Sequence, residues 1–138
     1  MQDPHQIRLE IPSAAEYVGV VRRAVESIAS RMPFAATDIE DLKLAVGEAC
    51  TNAVRHGCPS RHHPFITVIC KVTPDFLEIE IKNGLAGGEQ CPSVVTIPDT
   101  DKEGGMGLYI MREVMDEVDI VWKGRTASIR MVKRVKEA

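Results

Sequence analysis

A chain of 138 residues has room for about one ordinary domain, and its 44% hydrophobic and 27% charged residues suit a folded domain able to build a core. A net charge of −3 gives no sign of a nucleic-acid binder; no apolar run approaches the roughly 20 residues that span a bilayer; and the polar start Met1-Gln2-Asp3-Pro4-His5 lacks the apolar centre of a signal peptide. Cys50, Cys58, Cys70 and Cys91 show no C-x-x-C pairing, which fits a reduced, cytoplasmic protein with free thiols.

In chain order, Gln6 to Ile11 alternates Ile7, Leu9 and Ile11 with polar residues and predicts a first strand. Ser13-x-x-Glu16 reads as a capping box. It opens a helix whose apolar positions Val18, Val21, Val25, Ile28 and Met32 follow 3-4-3-4 spacing, and Pro33 ends it. Thr37-x-x-Glu40 reads as a second box. It starts a long helix with the seam Ile39, Leu42, Val46, Ala49 and Ala53, closed by Gly57 with Pro59 soon after. Two strands follow over 64–73 and 76–83, joined by Thr73-Pro74-Asp75, with Leu77, Ile79 and Ile81 alternating with Glu78, Glu80 and Lys82.

Residues 84–104 show no periodicity and hold four glycines and two prolines, the mark of a functional lid or a disordered segment. A helix over 107–117 places Leu108, Met111, Met115 and Val118 at helical spacing. Strands near 118–123 and 126–134 close the chain. The order β-α-α-β-β-loop-α-β-β predicts one domain over 1–138 of the α+β class: a two-layer sandwich with a mostly antiparallel sheet covered on one face by helices.

Two segments carry chemistry. Glu48 and Asn52 lie four residues apart, so a carboxylate and an amide share one helical face, one turn from each other. Such a Glu can take a proton from an attacking hydroxyl, and the Asn carbonyl oxygen can ligate Mg²⁺. A Glu and an Asn on a helix are ordinarily solvated groups. The apolar seam beside them, the His56-Gly57 ending and a glycine cluster some fifty residues on favour a nucleotide. That cluster, Gly104-Gly105-Met106-Gly107-Leu108, is a hinge or a phosphate cradle; the helix starting at once behind it favours phosphate held by backbone N–H groups. It is no Walker loop, since no Lys-Ser/Thr follows, and no Rossmann fingerprint, since no strand directly precedes it.

Other features read more plainly. His56, Cys58, His62 and His63 fit no usual zinc spacing. Met106, Met111 and Met115 read as core and loop packing, and Arg22 and Arg23 as a solvated face. Arg55 either approaches the phosphates or faces water. Asp99, Asp101, Lys102 and Glu103 fall in the predicted lid, where Lys102 is in a position to reach a phosphate.

The segment Val46 through Gly57, with its Glu-x-x-x-Asn and Ala-Val-Arg-His-Gly, resembles the first ATP-binding box of the superfamily of gyrase, histidine kinases and mismatch-repair ATPases. Gly104 to Met111, followed by Met115-Asp116-Glu117-Val118, resembles its later glycine box. With Gly124-Arg125-Thr126 matching a closing Gly-x-Thr strand, the chain is most similar to the bacterial anti-sigma-factor serine kinases of stress response and sporulation. The resemblance covers nearly the whole chain and implies the histidine-kinase-type ATPase fold. It also implies binding of Mg²⁺-ATP, sequestration of a sigma factor, phosphorylation of a serine on an anti-anti-sigma antagonist, and a homodimer. It implies a general base at Glu48 and a Mg²⁺ ligand at Asn52. Gly105 and Gly107, with Met106 and Leu108 of the same box, would lie on the phosphate side, and Thr126 near adenine. Arg22 and Arg23 would then alternatively belong to a docking surface for the sigma factor or the second subunit.

The middle box departs from Asp-x-Gly-x-Gly. The strand runs Ile81-Lys82-Asn83-Gly84-Leu85-Ala86-Gly87. Keeping its alternation places Asn83 at the Asp and Gly87 at the last Gly, with Leu85 replacing the first. Setting Gly84 at the first Gly puts Lys82 at the Asp, which is chemically worse. An Asn carbonyl still accepts from the adenine amine but lacks charge assistance, a loss of order 1 kcal/mol. Its amide can also flip toward a guanine O6 and weaken discrimination between ATP and GTP. Glu48 and Asn52 thus favour an enzyme. Asn83 and Leu85 favour the alternative, a non-catalytic switch module with weak or absent nucleotide binding.

Overall fold

The computed structural model describes residues 5–56, 65–83, 106–123 and 126–136. The elements are β1 (His5–Pro12), a 3₁₀ turn (Ala15–Tyr17), α1 (Val18–Ala29), α2 (Ala36–His56), β2 (Phe65–Val72), β3 (Phe76–Asn83), α3 (Met106–Val114), β4 (Glu117–Lys123) and β5 (Thr126–Arg134). The five strands form one sheet in the order β1-β2-β3-β5-β4. Every neighbouring pair is antiparallel, so the expected α+β class holds and the sheet has no parallel pair among the described strands.

Strand alternation sorts the two faces of the sheet. Ile66, Val68 and Cys70 of β2, Leu77, Ile79 and Ile81 of β3, and Ile129 and Met131 of β5 are buried in one cluster with the helices. α1 contributes Val18, Val21, Val25 and Ala29 at spacings of three and four, a single inward stripe. From α2 come Leu42, Ala45, Val46, Ala49 and Cys50; the expected seam residues Ile39 and Ala53 are only partly buried, as are Ile28 and Met32. Leu108, Met111 and Met115 anchor α3 and the turn behind it.

The other face carries a ladder of charge. Lys71 pairs with Glu78 at 3.6 Å, Glu78 with Arg130 at 2.9 Å, and Arg130 with Asp119 at 2.9 Å, crossing β2, β3, β5 and β4. Such partly exposed pairs contribute little each, about 0–1 kcal/mol. Arg130's guanidinium is held protonated, burial opposing and the three acids around it (Glu78, Glu117, Asp119) prevailing.

Three helix ends differ from expectation. Ser13 makes no capping bond: the N–H of Ala14 goes to the carbonyl of Pro12 at 2.8 Å and that of Tyr17 to Ala14 at 3.0 Å. A tight turn thus takes the partners that a capping box would supply, and α1 starts only at Val18. At α2 the cap sits two residues early. The Asp38 carboxylate accepts the Ala35 N–H at 3.2 Å, a carboxylate placed at the positive end of the helix, and Thr37 lies inside the first turn. α3 stops at Val114 rather than 117. Asp116 is already tied to β5, its N–H to the Val132 carbonyl at 2.9 Å and its carboxylate accepting from the Arg134 N–H at 2.6 Å. The expected C-terminal Gly57, the lid over 84–104, and Cys58, His62, His63 and Cys91 lie outside the described residues.

Candidate functional site

Glu48 and Asn52 leave α2 one turn apart, as their spacing requires, Glu48 half-buried and Asn52 only 6% exposed. α3 crosses beside them with its first turn. A Cβ added to Gly107 would stand 2.9 Å from Glu48 Oε1, 3.6 Å from Glu48 Cβ and 3.6 Å from Asn52 Oδ1. The missing Cβ lets the helix N-terminus approach those two side chains this closely without displacing the Glu48 carboxylate. Two motifs more than fifty residues apart in sequence therefore meet in space.

The arrangement suits phosphate and a hard cation. The first N–H groups of a helix have no intrahelical acceptor and sit at its positive end. Leu108 is buried in the core, so position 108 has its backbone, rather than its side chain, to offer a ligand; Met106 is about half exposed at the rim. The Asn52 amide is buried, faces this N-terminus, and meets no side-chain partner among the described residues. An oxygen donor of that kind, next to a carboxylate, fits Mg²⁺, which takes few protein ligands and completes its shell with phosphate and water.

Beside Glu48 a cavity of about 300 Å³ opens, lined by Arg22, Glu40, Lys43, Leu44 and Glu48. Arg22 reaches it from α1. Its guanidinium lies over Gly47, where a Cβ would stand 2.7 Å from Nε. The reading of Arg22 as part of a solvated face is thus incomplete: it is exposed, yet seated on α2 at the cavity that Glu48 lines. The available signal was a glycine in mid-helix directly before Glu48. Lys43 lies 3.3 Å from both Glu40 and Glu26, and those two carboxylates raise its pKa. Arg55 is exposed, and a second cavity, of about 200 Å³, lies at the far end of the sheet beside His5, Arg31 and Val72.

The sheet register bears on the middle box. Position 83 falls on the row of Ile79 and Ile81, opposite the buried Ile66, whereas Lys82 Nζ lies 3.8 Å from Glu80 Oε1 on the outer face. Position 83, not position 82, thus continues the inward row of β3. Lys82 pairs with Ser128 on β5, so Asn83 and Thr126 lie at the same end of neighbouring strands. That end is the one toward which α2 runs, since its start lies by Lys133 at the other end of β5. Gly87 and Gly105 lie outside the described residues.

Cys50 and Cys70 are buried in the core, and burial pushes their thiols up to about 12 and about 11, so neither offers a nucleophile near neutral pH. No helix among the described residues is long and apolar enough to cross a membrane.

Residues 11–133 match the family described as the histidine kinase-like ATPase domain. The chain is 40% identical over 124 residues to the serine-protein kinase RsbW of Bacillus velezensis, covering 83% of this chain and 76% of that one. To the protein of the same name in Bacillus subtilis it is 36% identical over the same shares. Among solved structures it resembles the RsbU and RsbW domains of a Mycobacterium tuberculosis protein at a TM-score of 0.68 and 14% identity. That match covers 94% of this chain and 32% of the solved one, and at such identity it speaks for the fold alone.

Proposed function

The chain belongs to the histidine kinase-like ATPase family and, within it, to the RsbW serine-protein kinases, and on that premise we propose that it is an anti-sigma factor that transfers the γ-phosphoryl group of Mg²⁺-ATP to a serine of an anti-anti-sigma antagonist. The observation that supports this reading is the approach of Gly107 to Glu48 and Asn52, which brings a carboxylate, a buried amide and a helix N-terminus to one place.

The roles follow from the chemistry. Glu48 takes the proton of the acceptor serine as its oxygen attacks the γ-phosphorus, and the bond to the bridging oxygen breaks to release ADP. The backbone at Gly107 holds phosphate oxygens. Asn52 would hold Mg²⁺, which supplies neutralisation of the phosphate charge. By the resemblance, Asn83 accepts from the base amine, Gly87 belongs to the same box, Gly105 and Met106 belong to the glycine box, and Thr126 serves the adenine. The cavity beside Glu48 opens toward solvent and gives the acceptor hydroxyl a way in. As part of the same proposal, the protein works in the cytoplasm as a homodimer and holds its sigma factor until the antagonist arrives, as the resemblance of its motifs implies.

Incubation with labelled ATP, Mg²⁺ and the cognate antagonist tests the proposal. Transfer to a serine that disappears in Glu48→Ala is the expected result. Absence of transfer by the wild type, alongside intact sigma binding, would leave only the non-catalytic switch.

A further inference from the structure

β5 continues its inward row Ile129, Met131 with a lysine. Lys133 is 4% exposed, and its backbone pairs with the fully buried Leu77 of β3. A buried ammonium is costly unless it is paired and hydrogen-bonded. Here Nζ donates to the Val114 carbonyl at 2.6 Å and to Asp41 Oδ2 at 3.4 Å, and lies 3.8 Å from Asp38 Oδ1. Val114 is the last residue of α3, so the cation sits at the negative end of that helix. Asp38 and Asp41 belong to the start of α2. Lys133 thus joins three elements at one buried point.

The same two helices meet again at the other end of α3, where Gly107 abuts Glu48 and Asn52. From Gly107 to Val114 a helix rises by about 10 Å, and from Asp41 to Glu48 by about the same. α3 therefore lies antiparallel to α2 and is held against it twice, at the glycine end by close approach and at the far end by the lysine.

We infer that Lys133 is a positioning residue for the nucleotide site, a buried pin that fixes α3 along α2 so that the glycine end meets Glu48 and Asn52 in register. It touches neither nucleotide nor metal and acts through the helix. With the pin removed, α3 still packs through Leu108 and Met111 but samples several positions along α2. Each encounter with nucleotide must then order it again, a conformational cost that appears as weaker affinity.

The inference rests on the nucleotide reading above, so the first measurement is Mg²⁺-ATP affinity of the wild type. No binding there ends that reading and the pin with it; once binding is measured, the remaining arms judge the pin alone. Lys133→Met removes the charge and keeps the length. Its expected result is a cooperatively folded protein whose Kd for Mg²⁺-ATP is about tenfold higher, with faster amide exchange in residues 106–114. Val25→Ala serves as a control in the α1 core: it lowers Tm and leaves the affinity where it was. If Lys133→Met fails to fold, Asp41→Asn, half-exposed and one charge lighter, decides, with an expected rise of a few-fold in Kd. Wild-type affinity in every folded variant, or an equal loss in Val25→Ala, overturns the proposal and leaves Lys133 a purely structural residue.

Discussion

Replacing Gly107 with alanine separates stability from chemistry. The added methyl would stand 2.9 Å from Glu48 Oε1, where a comfortable carbon–oxygen contact is about 3.4 Å, so the carboxylate must retreat by roughly half an ångström. Glu48 is half-buried and its carboxylate ends a flexible side chain, so the retreat costs about 0.5–1 kcal/mol in rotamer strain. Against that, alanine in a helix is favoured over glycine by up to about 1 kcal/mol, less near an end. The two nearly cancel, and Tm should move by no more than a few degrees. Catalysis has no such compensation. A misplacement of about 1 Å can cost a hundredfold, so half of that predicts a loss of about tenfold or more in transfer, with nucleotide affinity changed less. Initial rates of phosphoryl transfer, measured beside thermal unfolding, read both quantities. In a Glu48→Gln background the same alanine should cost almost nothing further, because the displaced group no longer acts as base. A Gly107→Ala enzyme with the wild-type rate, or one whose losses in rate and in stability run together, would refute the reasoning.

Other substitutions divide the roles further. Glu48→Ala should abolish transfer while nucleotide titration stays near wild type. Asn83→Asp should gain affinity for ATP over GTP by up to about tenfold, checked by competition titration; no gain would show that position 83 does not read the base. Gly47→Ala should raise Tm by a few degrees, since the helix gains up to about 1 kcal/mol and the exposed Arg22 guanidinium can swing away; a fall would mean that the Arg22 seat itself stabilises the fold. Cys50 and Cys70 retain their protons to about pH 12 and 11 in the folded chain, whereas an unfolded thiol loses its proton near 8.5. The folded state then binds more protons, so stability should be unaffected below pH 8 and decline as pH rises from about 9 toward 11, as unfolding curves across that range would show.

Much of this fold is legible because periodicity is a direct consequence of burial. The alternation Leu77–Ile79–Ile81 and the stripe Val18–Val21–Val25 announce both element and face, whereas β2, buried from Ile66 to Cys70, announces only the element. Glu48 and Asn52 were legible for the same reason, since four-residue spacing on a helix leaves no choice of side. Helix ends were less so. Thr37 offered a capping signature, but Asp38 won because a carboxylate facing the Ala35 N–H also gains from the helix dipole and from Lys133. The end of α3 was misjudged by three residues because Asp116 bonds to β5, a contact no local pattern reveals. Lys133 itself was invisible. In a strand a lysine ordinarily marks the solvent face, and only the convergence of Val114, Asp38 and Asp41 makes an inward one tolerable. Arg22 on Gly47 belongs to the same class of tertiary contact.

Calorimetric titration of Mg²⁺-ATP into the wild type and into Asn52→Ala tests the central claim most directly. Saturable one-site binding by the wild type, dependent on Mg²⁺ and falling sharply when the amide is removed, is the expected result. Binding of equal strength in both proteins, or none in the wild type, would contradict the placement of a nucleotide between α2 and α3.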